Sequence, residues 1–164
     1  MNLDLAVAIR SFLEHLEVEK NCSKLTIRNY DHYLQVLQKF FEMNGKSTPT
    51  VADINSDVVR NFRLYLSRQP GTDGEMKRVT QGYYVIALRS FLKWLVRNDY
   101  PVMQPEKIEV PKNRDHSLKF LNGEQIERLL NQPLMSTKVG LRDRAILELF
   151  FSTGLRVSEL ARLN

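Results

Sequence analysis

The stretch Thr80-Gln81-Gly82-Tyr83-Tyr84-Val85-Ile86-Ala87-Leu88-Arg89-Ser90-Phe91-Leu92-Lys93-Trp94-Leu95 sets apolar side chains at 84, 87, 88, 91, 92 and 95. Gaps of three and four residues trace one face of a helix, not the alternation of a strand. The spacing predicts a helix that opens around Thr80 and closes before Asn98-Asp99-Tyr100-Pro101. A single amphipathic helix cannot bury such a stripe alone, so partners must lie elsewhere in the chain.

Three segments upstream supply them. Leu5, Ile9, Phe12, Leu13 and Leu16 share one face, with Arg10, Glu14 and Glu17 off it. A second helix follows Asn21-Cys22-Ser23, a natural cap, and places Ile27, Tyr30, Leu34, Leu37 and Phe41 on a stripe before Asn44-Gly45 ends it. A third starts at Asn55-Ser56-Asp57, uses Val58, Phe62, Tyr65 and Leu66, and ends before Pro70-Gly71. Gly71-Thr72-Asp73-Gly74 reads as a flexible loop. Four helices with short connections and no period-2 runs make a small all-α bundle over residues 1–101.

Between 102 and 115 the texture changes. Pro101, Pro105 and Pro111 interleave with charged residues, which denies helix and predicts an extended linker. Beyond it, Asn122 caps a fifth helix with Ile126, Leu129 and Leu130 apolar. A sixth runs from about Leu141 to a stop at Thr153-Gly154, and a seventh begins near Arg156. The run Ile146-Leu147-Glu148-Leu149-Phe150-Phe151 is that of a helix buried on most sides in a larger domain. Residues 116–164 are therefore expected to be the first part of a further domain, truncated at Asn164.

Composition narrows the class. In 164 residues, 43% hydrophobic and 26% charged is globular and argues against disorder. No apolar run approaches the roughly 18 to 20 residues needed to span a bilayer, and the N-terminus does not read as a signal peptide. One cysteine, Cys22, excludes an internal disulfide and a multi-cysteine zinc site. His15, His32 and His116 are too scattered for a metal or acid–base site and read as surface or linker residues. A soluble cytoplasmic protein without metal or cofactor is expected. The net charge of +5, from 24 Lys+Arg against 19 Asp+Glu, favours a polyanionic partner without requiring one.

The most informative chemistry lies in Arg142-Asp143-Arg144-Ala145-Ile146-Leu147-Glu148-Leu149-Phe150-Phe151-Ser152-Thr153-Gly154-Leu155-Arg156-Val157-Ser158-Glu159-Leu160. Gly154 permits a sharp break at positive φ and sets Arg156 in the first turn of the next helix, where backbone N–H groups already favour an anion. An arginine there makes a phosphate site with bidentate donors, and Glu159, three residues on, can hold the guanidinium. The plainer reading of the same pair is a surface ion pair worth under about 1 kcal/mol.

The stretch resembles the first motif box of the tyrosine recombinases, the phage integrase family, and is most similar to its Xer-type members. That motif is Arg-Asp-x-Ala-Ile-Leu-x-Leu leading into Thr-Gly-Leu-Arg-x-x-Glu-Leu. Phe120 to Leu130 resembles the entry helix of the family's mixed α/β catalytic domain. Ser23, Thr26, Tyr30 and Leu88-Arg89-Ser90-Phe91-Leu92 resemble its SAM-like, four-helix core-binding domain. The resemblance implies site-specific cleavage and rejoining of DNA through a 3′-phosphotyrosine, with no metal or nucleotide. It makes Arg156 the first catalytic arginine and Glu159 its supporting acid. The family's other catalytic residues, the tyrosine included, come later in its sequence pattern. Tyr30, Tyr33, Tyr65, Tyr83, Tyr84 and Tyr100 all precede the box, and Tyr30, Tyr65 and Tyr84 sit on core stripes. The chain is thus expected to bind DNA without cleaving it.

In the family the second and fourth helices face the major groove and the linker closes a clamp round the duplex. The resemblance therefore points to Lys24, Thr26 and Arg28 at the start of the second helix. It also points to Lys77, Arg78, Thr80 and Gln81 at the start of the fourth, to Arg89 along it, and to Lys112 and Arg114 in the linker. Hydroxyls and cations at helix starts suit phosphates, which position without reading sequence. Expected partners are double-stranded DNA and, in a full-length protein, further subunits forming a tetramer on two duplexes; the chain alone is expected to be monomeric. Two other readings, a non-catalytic helical DNA-binding regulator and a scaffold bundle with incidental charge, leave the 142–160 box without a role.

Overall fold

The computed structural model describes residues 3–71, 74–110 and 120–163. By compactness the chain divides into two units, Met1–Arg114 and Asp115–Asn164. Among the described residues no helix is long and apolar enough to cross a membrane.

The first unit is a bundle of α1 (Leu5–Val18), α2 (Lys24–Met43), α3 (Ser56–Ser67) and α4 (Arg78–Arg97). Three of the four begin on a side-chain cap. Asp4 Oδ1 accepts from the N–H of Ala6 and Val7, Ser23 Oγ from that of Thr26, and Asn55 Oδ1 from that of Val58. α2 ends at Asn44, followed by Gly45 at φ +78°, the left-handed turn the sequence predicts. The apolar stripes meet in one core, in which Leu5, Phe12, Leu34, Leu37, Phe62, Leu66, Leu88, Phe91, Leu92 and Leu95 are each no more than 1% exposed. Tyr84 is buried, while Ile27, Tyr30 and Tyr65 pack against the core from its edge.

Phe12 is the joint of this bundle. Its ring lies 5.9 Å from Tyr30 of α2, and 5.4 and 5.7 Å from Phe91 and Trp94 of α4. Residues between helices also enter the core. Val51 and Ile54 are 1% exposed, on a 3-10 turn closed by Thr50 and Asp53. The N–H of Leu5 donates to Pro49 O and that of Val51 to Leu3 O, which ties the start of the chain to this connection.

Several sequence expectations change. Gly71 and Gly74 belong to a minimal hairpin, β1 (Pro70–Gly71) against β2 (Gly74–Glu75), instead of a plain loop; Thr72 and Asp73 lie outside the described residues. α4 opens at Arg78, two residues before the expected Thr80. Residues 102–110, expected as the extended linker's first half, fold back on the bundle. Pro105 starts a 3-10 turn, and Ile108 is 2% exposed within the core. The prolines deny α-helix, yet one at the first position of a turn is pre-organised, and Ile108 gains more by burial than by extension. Lys112, Arg114 and His116 lie outside the described residues.

The second unit carries α5 (Gly123–Leu130), α6 (Lys138–Thr153) and α7 (Val157–Leu160). Asn122 and Gln125 form a reciprocal capping box at 2.9 Å each way. α6 starts three residues before the expected Leu141, because Thr137 Oγ1 accepts from Gly140 N–H at 3.0 Å. Arg144 joins the two helices, its Nη1 donating to Asn131 Oδ1 and its Nε to Glu148 Oε1. Gly140 is the one buried residue described in this unit; Leu129, Leu141 and Phe151 are exposed. The α6 run that reads as buried on most sides is therefore half-open in this structure.

Candidate functional site

Two places gather the residues singled out by sequence. The first is the seam between α2 and α4. Tyr33 meets Tyr84 at 4.7 Å and stacks on Tyr83 at 6.5 Å and 15°, while Tyr30 reaches Phe91 and Trp94 only through Phe12. Residues 26–33 of α2 thus face residues 83–87 of α4 across the seam. The starts of both helices, Lys24 and Arg78, lie within three turns of this meeting point. Between the helices lies an open groove lined by Thr26, Asn29, Tyr30, Tyr33, Tyr83 and Ile86.

Lys24 and Arg28 are exposed, one turn apart at the α2 end. Lys77 and Arg78 are exposed at the α4 end, where no side chain caps the first turn. Thr80 and Arg89 are half-buried. Thr26 and Gln81 are less free than their sequence positions imply. The Thr26 hydroxyl is hydrogen-bonded to Ser23 Oγ at 2.9 Å, and Gln81 Nε2 donates to Met76 O at 2.7 Å, closing the loop before α4. The stacked pair of half-buried Tyr33 and exposed Tyr83, with Asn29, supplies lining residues that the sequence reading passed over. Their signal was present, since 26, 29, 30 and 33 share one helical face, but Tyr30 on that face reads as core, and Tyr33 and Tyr83 fall on neither apolar stripe.

The histidines take different roles. His32 is exposed and hydrogen-bonded to the Tyr84 hydroxyl at 3.1 Å. His15, expected on the surface, has only 11% of its side chain exposed, with Nδ1 2.9 Å from Glu19 Oε2. Burial, and then the neighbouring Tyr33 and Tyr65, raise the Tyr84 phenol above its ordinary value. Among the described residues no three His, Cys, Asp or Glu side chains cluster as a metal would require.

The second place is the α6–α7 break. Gly154 closes α6 in the left-handed region at φ +66°, its N–H donating to Phe150 O at 2.9 Å. Arg156 stands at the N-cap of α7, one position before the first turn expected for it. Glu159 turns back on it, Oε2 accepting from Arg156 N–H at 2.8 Å and Oε1 lying 3.3 Å from Nη1. The Arg156 side chain is 82% exposed. One edge of the guanidinium is held by the carboxylate and its other donors face solvent.

The chain matches known proteins along most of its length. Residues 9–99 match the family described as phage integrase, N-terminal SAM-like domain. A tyrosine recombinase XerC of Pelobacter propionicus is 34% identical over 94% of this chain and 50% of that protein. XerC of Bacillus subtilis is 31% identical over 95% and 49%, and XerD of Listeria innocua 33% over 95% and 51%. This chain therefore spans about half the length of the curated relatives it matches. A crystal structure of the N-terminal domain of a phage integrase/site-specific recombinase from Haloarcula marismortui shares the fold, with a TM-score of 0.56 at 18% identity over 68% of this chain and 99% of that one.

Proposed function

This chain belongs to the phage integrase family of tyrosine recombinases, and we propose that it supplies the DNA-binding and first catalytic elements of a site-specific recombinase in the cytoplasm. The bundle is the core-binding domain, its boundary moved from 101 to about 110 because Ile108 completes the core. Residues 116–164 begin the catalytic domain, whose remainder lies in the part of the family's length that this chain does not span.

The observation that carries this reading is the geometry at Arg156. A guanidinium that is 82% exposed, positioned by Glu159 at 3.3 Å just past a left-handed glycine, is a donor fork offered to an anion. In the proposed reaction a tyrosine oxygen attacks the scissile phosphodiester, forming a 3′-phosphotyrosine as the 5′-hydroxyl leaves. Arg156 stabilises the charge that develops on the phosphoryl oxygens, where losing one donor typically costs about 100- to 1000-fold. Neither metal nor cofactor enters this scheme.

Lys24, Arg28, Lys77 and Arg78 reach the DNA backbone from the starts of α2 and α4, with Thr26, Thr80, Gln81 and Arg89 alongside. Lys112 and Arg114 follow the strand beyond the bundle. In the full-length protein, subunits assemble as a tetramer on two duplexes; this chain alone is a monomer. The test is a salt titration of duplex binding by fluorescence anisotropy. With log K falling by about 0.9 per phosphate per decade of salt, four contacts give a loss of about 150-fold between 50 and 200 mM. Affinity indifferent to salt contradicts the reading.

A further inference from the structure

Beyond the α2–α4 seam, a recess of about 260 Å³ opens between the C-terminal halves of α1 and α4. His15, Lys20, Ser90, Lys93, Trp94 and Arg97 line it. Its floor is aromatic, with the Trp94 ring stacked on Phe91 at 6.2 Å and 16° and tilted against Phe12. Glu19 is engaged by His15. Lys20, Lys93 and Arg97 are exposed, and none of them pairs with a carboxylate among the described residues.

The obvious explanation for three cations at this place is compensation of the helix ends. α1 and α4 both finish here, and each C-terminus carries about half a negative charge. One cation offsets both and the Glu19 carboxylate beside the recess offsets a second, which leaves about one positive charge over an apolar floor. The recess also continues a surface already described. Tyr83, Ile86, Ser90, Lys93 and Arg97 recur at three- and four-residue spacing, so they share one face of α4. From Ile86 to Arg97 that face extends about 16 Å, the rise of four to five base pairs at about 3.4 Å each.

We propose that this recess is a second backbone seat, taking a phosphodiester of duplex DNA on Lys93 and Arg97, with Lys20 flanking it and Trp94 beneath. The inference rests on the reading of the chain as DNA-binding and adds a contact outside the helix starts assigned there. Trp94 is the only tryptophan in the sequence, so its emission reports occupancy of the recess directly. Titration with a duplex of about 30 base pairs should change that emission with the same midpoint as anisotropy. Lys93→Gln with Arg97→Gln should abolish the emission change and lower the slope of log K against log salt by about 1.8, for two lost contacts. Lys24→Ala with Arg28→Ala should weaken binding yet keep the Trp94 response at saturation. Circular dichroism melts unchanged from wild type establish that both variants fold. If wild type binds DNA with a salt-dependent affinity while Trp94 stays silent and Lys93→Gln/Arg97→Gln leaves the slope unchanged, the recess is empty and this proposal alone falls. If inorganic phosphate reproduces the emission change and duplex DNA adds none, it is a small-anion pocket and the proposal falls as well. Absence of any DNA binding by wild type overturns both readings.

Discussion

Replacing Phe12 with alanine tests the joint that fixes α2 against α4. Phe12 is 1% exposed and touches one aromatic ring of α2 and two of α4. Its removal forfeits the transfer energy of the ring and leaves a cavity that three surrounding rings cannot all fill, a cost of about 3–5 kcal/mol. Domains of this kind hold about 5–15 kcal/mol in total, so a large share of the stability is at stake. With a urea dependence near 2 kcal/mol per molar, the unfolding midpoint should fall by about 2 M. Trp94 emission, 5.7 Å from the lost ring, and far-UV circular dichroism should follow one transition. Phe12→Leu, which keeps most of the volume, should cost less than half as much. A midpoint shift below about 0.5 M for Phe12→Ala would refute the assignment of this residue as the joint.

Three further outcomes follow from the same geometry. Burial alone would raise the Asp53 carboxyl, but Lys46 and the N–H and hydroxyl of Thr50 outweigh it and hold the group below its ordinary value. Its contribution is therefore present above the unfolded value near pH 4 and lost as the pH falls through the folded one; Asp53→Asn should cost about 1 kcal/mol at pH 7 and flatten the acid limb of a stability–pH curve, and parallel limbs would contradict this. A methyl group on Gly140 would stand 1.9 Å from Leu134 O, a backbone atom that accepts from the N–H and hydroxyl of Thr137, so Gly140→Ala should destabilise the second unit by about 1–3 kcal/mol, read by thermal circular dichroism, while Gly123→Ala, with nothing within 4 Å, should not. Arg156→Ala should leave stability within about 0.5 kcal/mol and duplex affinity nearly unchanged, yet abolish cleavage when carried in a full-length recombinase; retained cleavage would remove Arg156 from the mechanism.

Much of the bundle was legible because each helix announces itself by period, and α2 and α3 by a cap as well. Ser23, Asn55 and Asn122 cap as their sequence contexts predict, and the stripe of α4 is buried at every position named for it. Val51, Ile54 and Ile108 were not legible as core. Each stands alone in a connection, where no repeat marks it, and only the assembled bundle offers it a cavity. The Pro-rich stretch misled for a related reason: proline excludes α-helix but not a 3-10 turn anchored by one apolar side chain. At the site, the Arg156–Glu159 pair was readable from i,i+3 spacing alone. That the Thr26 hydroxyl and the Gln81 amide nitrogen are spent on local backbone order was not, because the sequence does not say which neighbour a short polar side chain will choose. The recess on Trp94 escaped for the opposite reason, since its lining joins residues far apart in the chain that only the packing of α1 on α4 unites.

The central claim, that the α2–α4 face receives duplex DNA, is tested most directly by amide NMR shifts recorded as a duplex is added. The account predicts perturbations concentrated in residues 24–33 and 77–97, with the start of α3 from Ser56 to Arg63 unmoved. Shifts confined to α3, or none at saturating duplex, would contradict it.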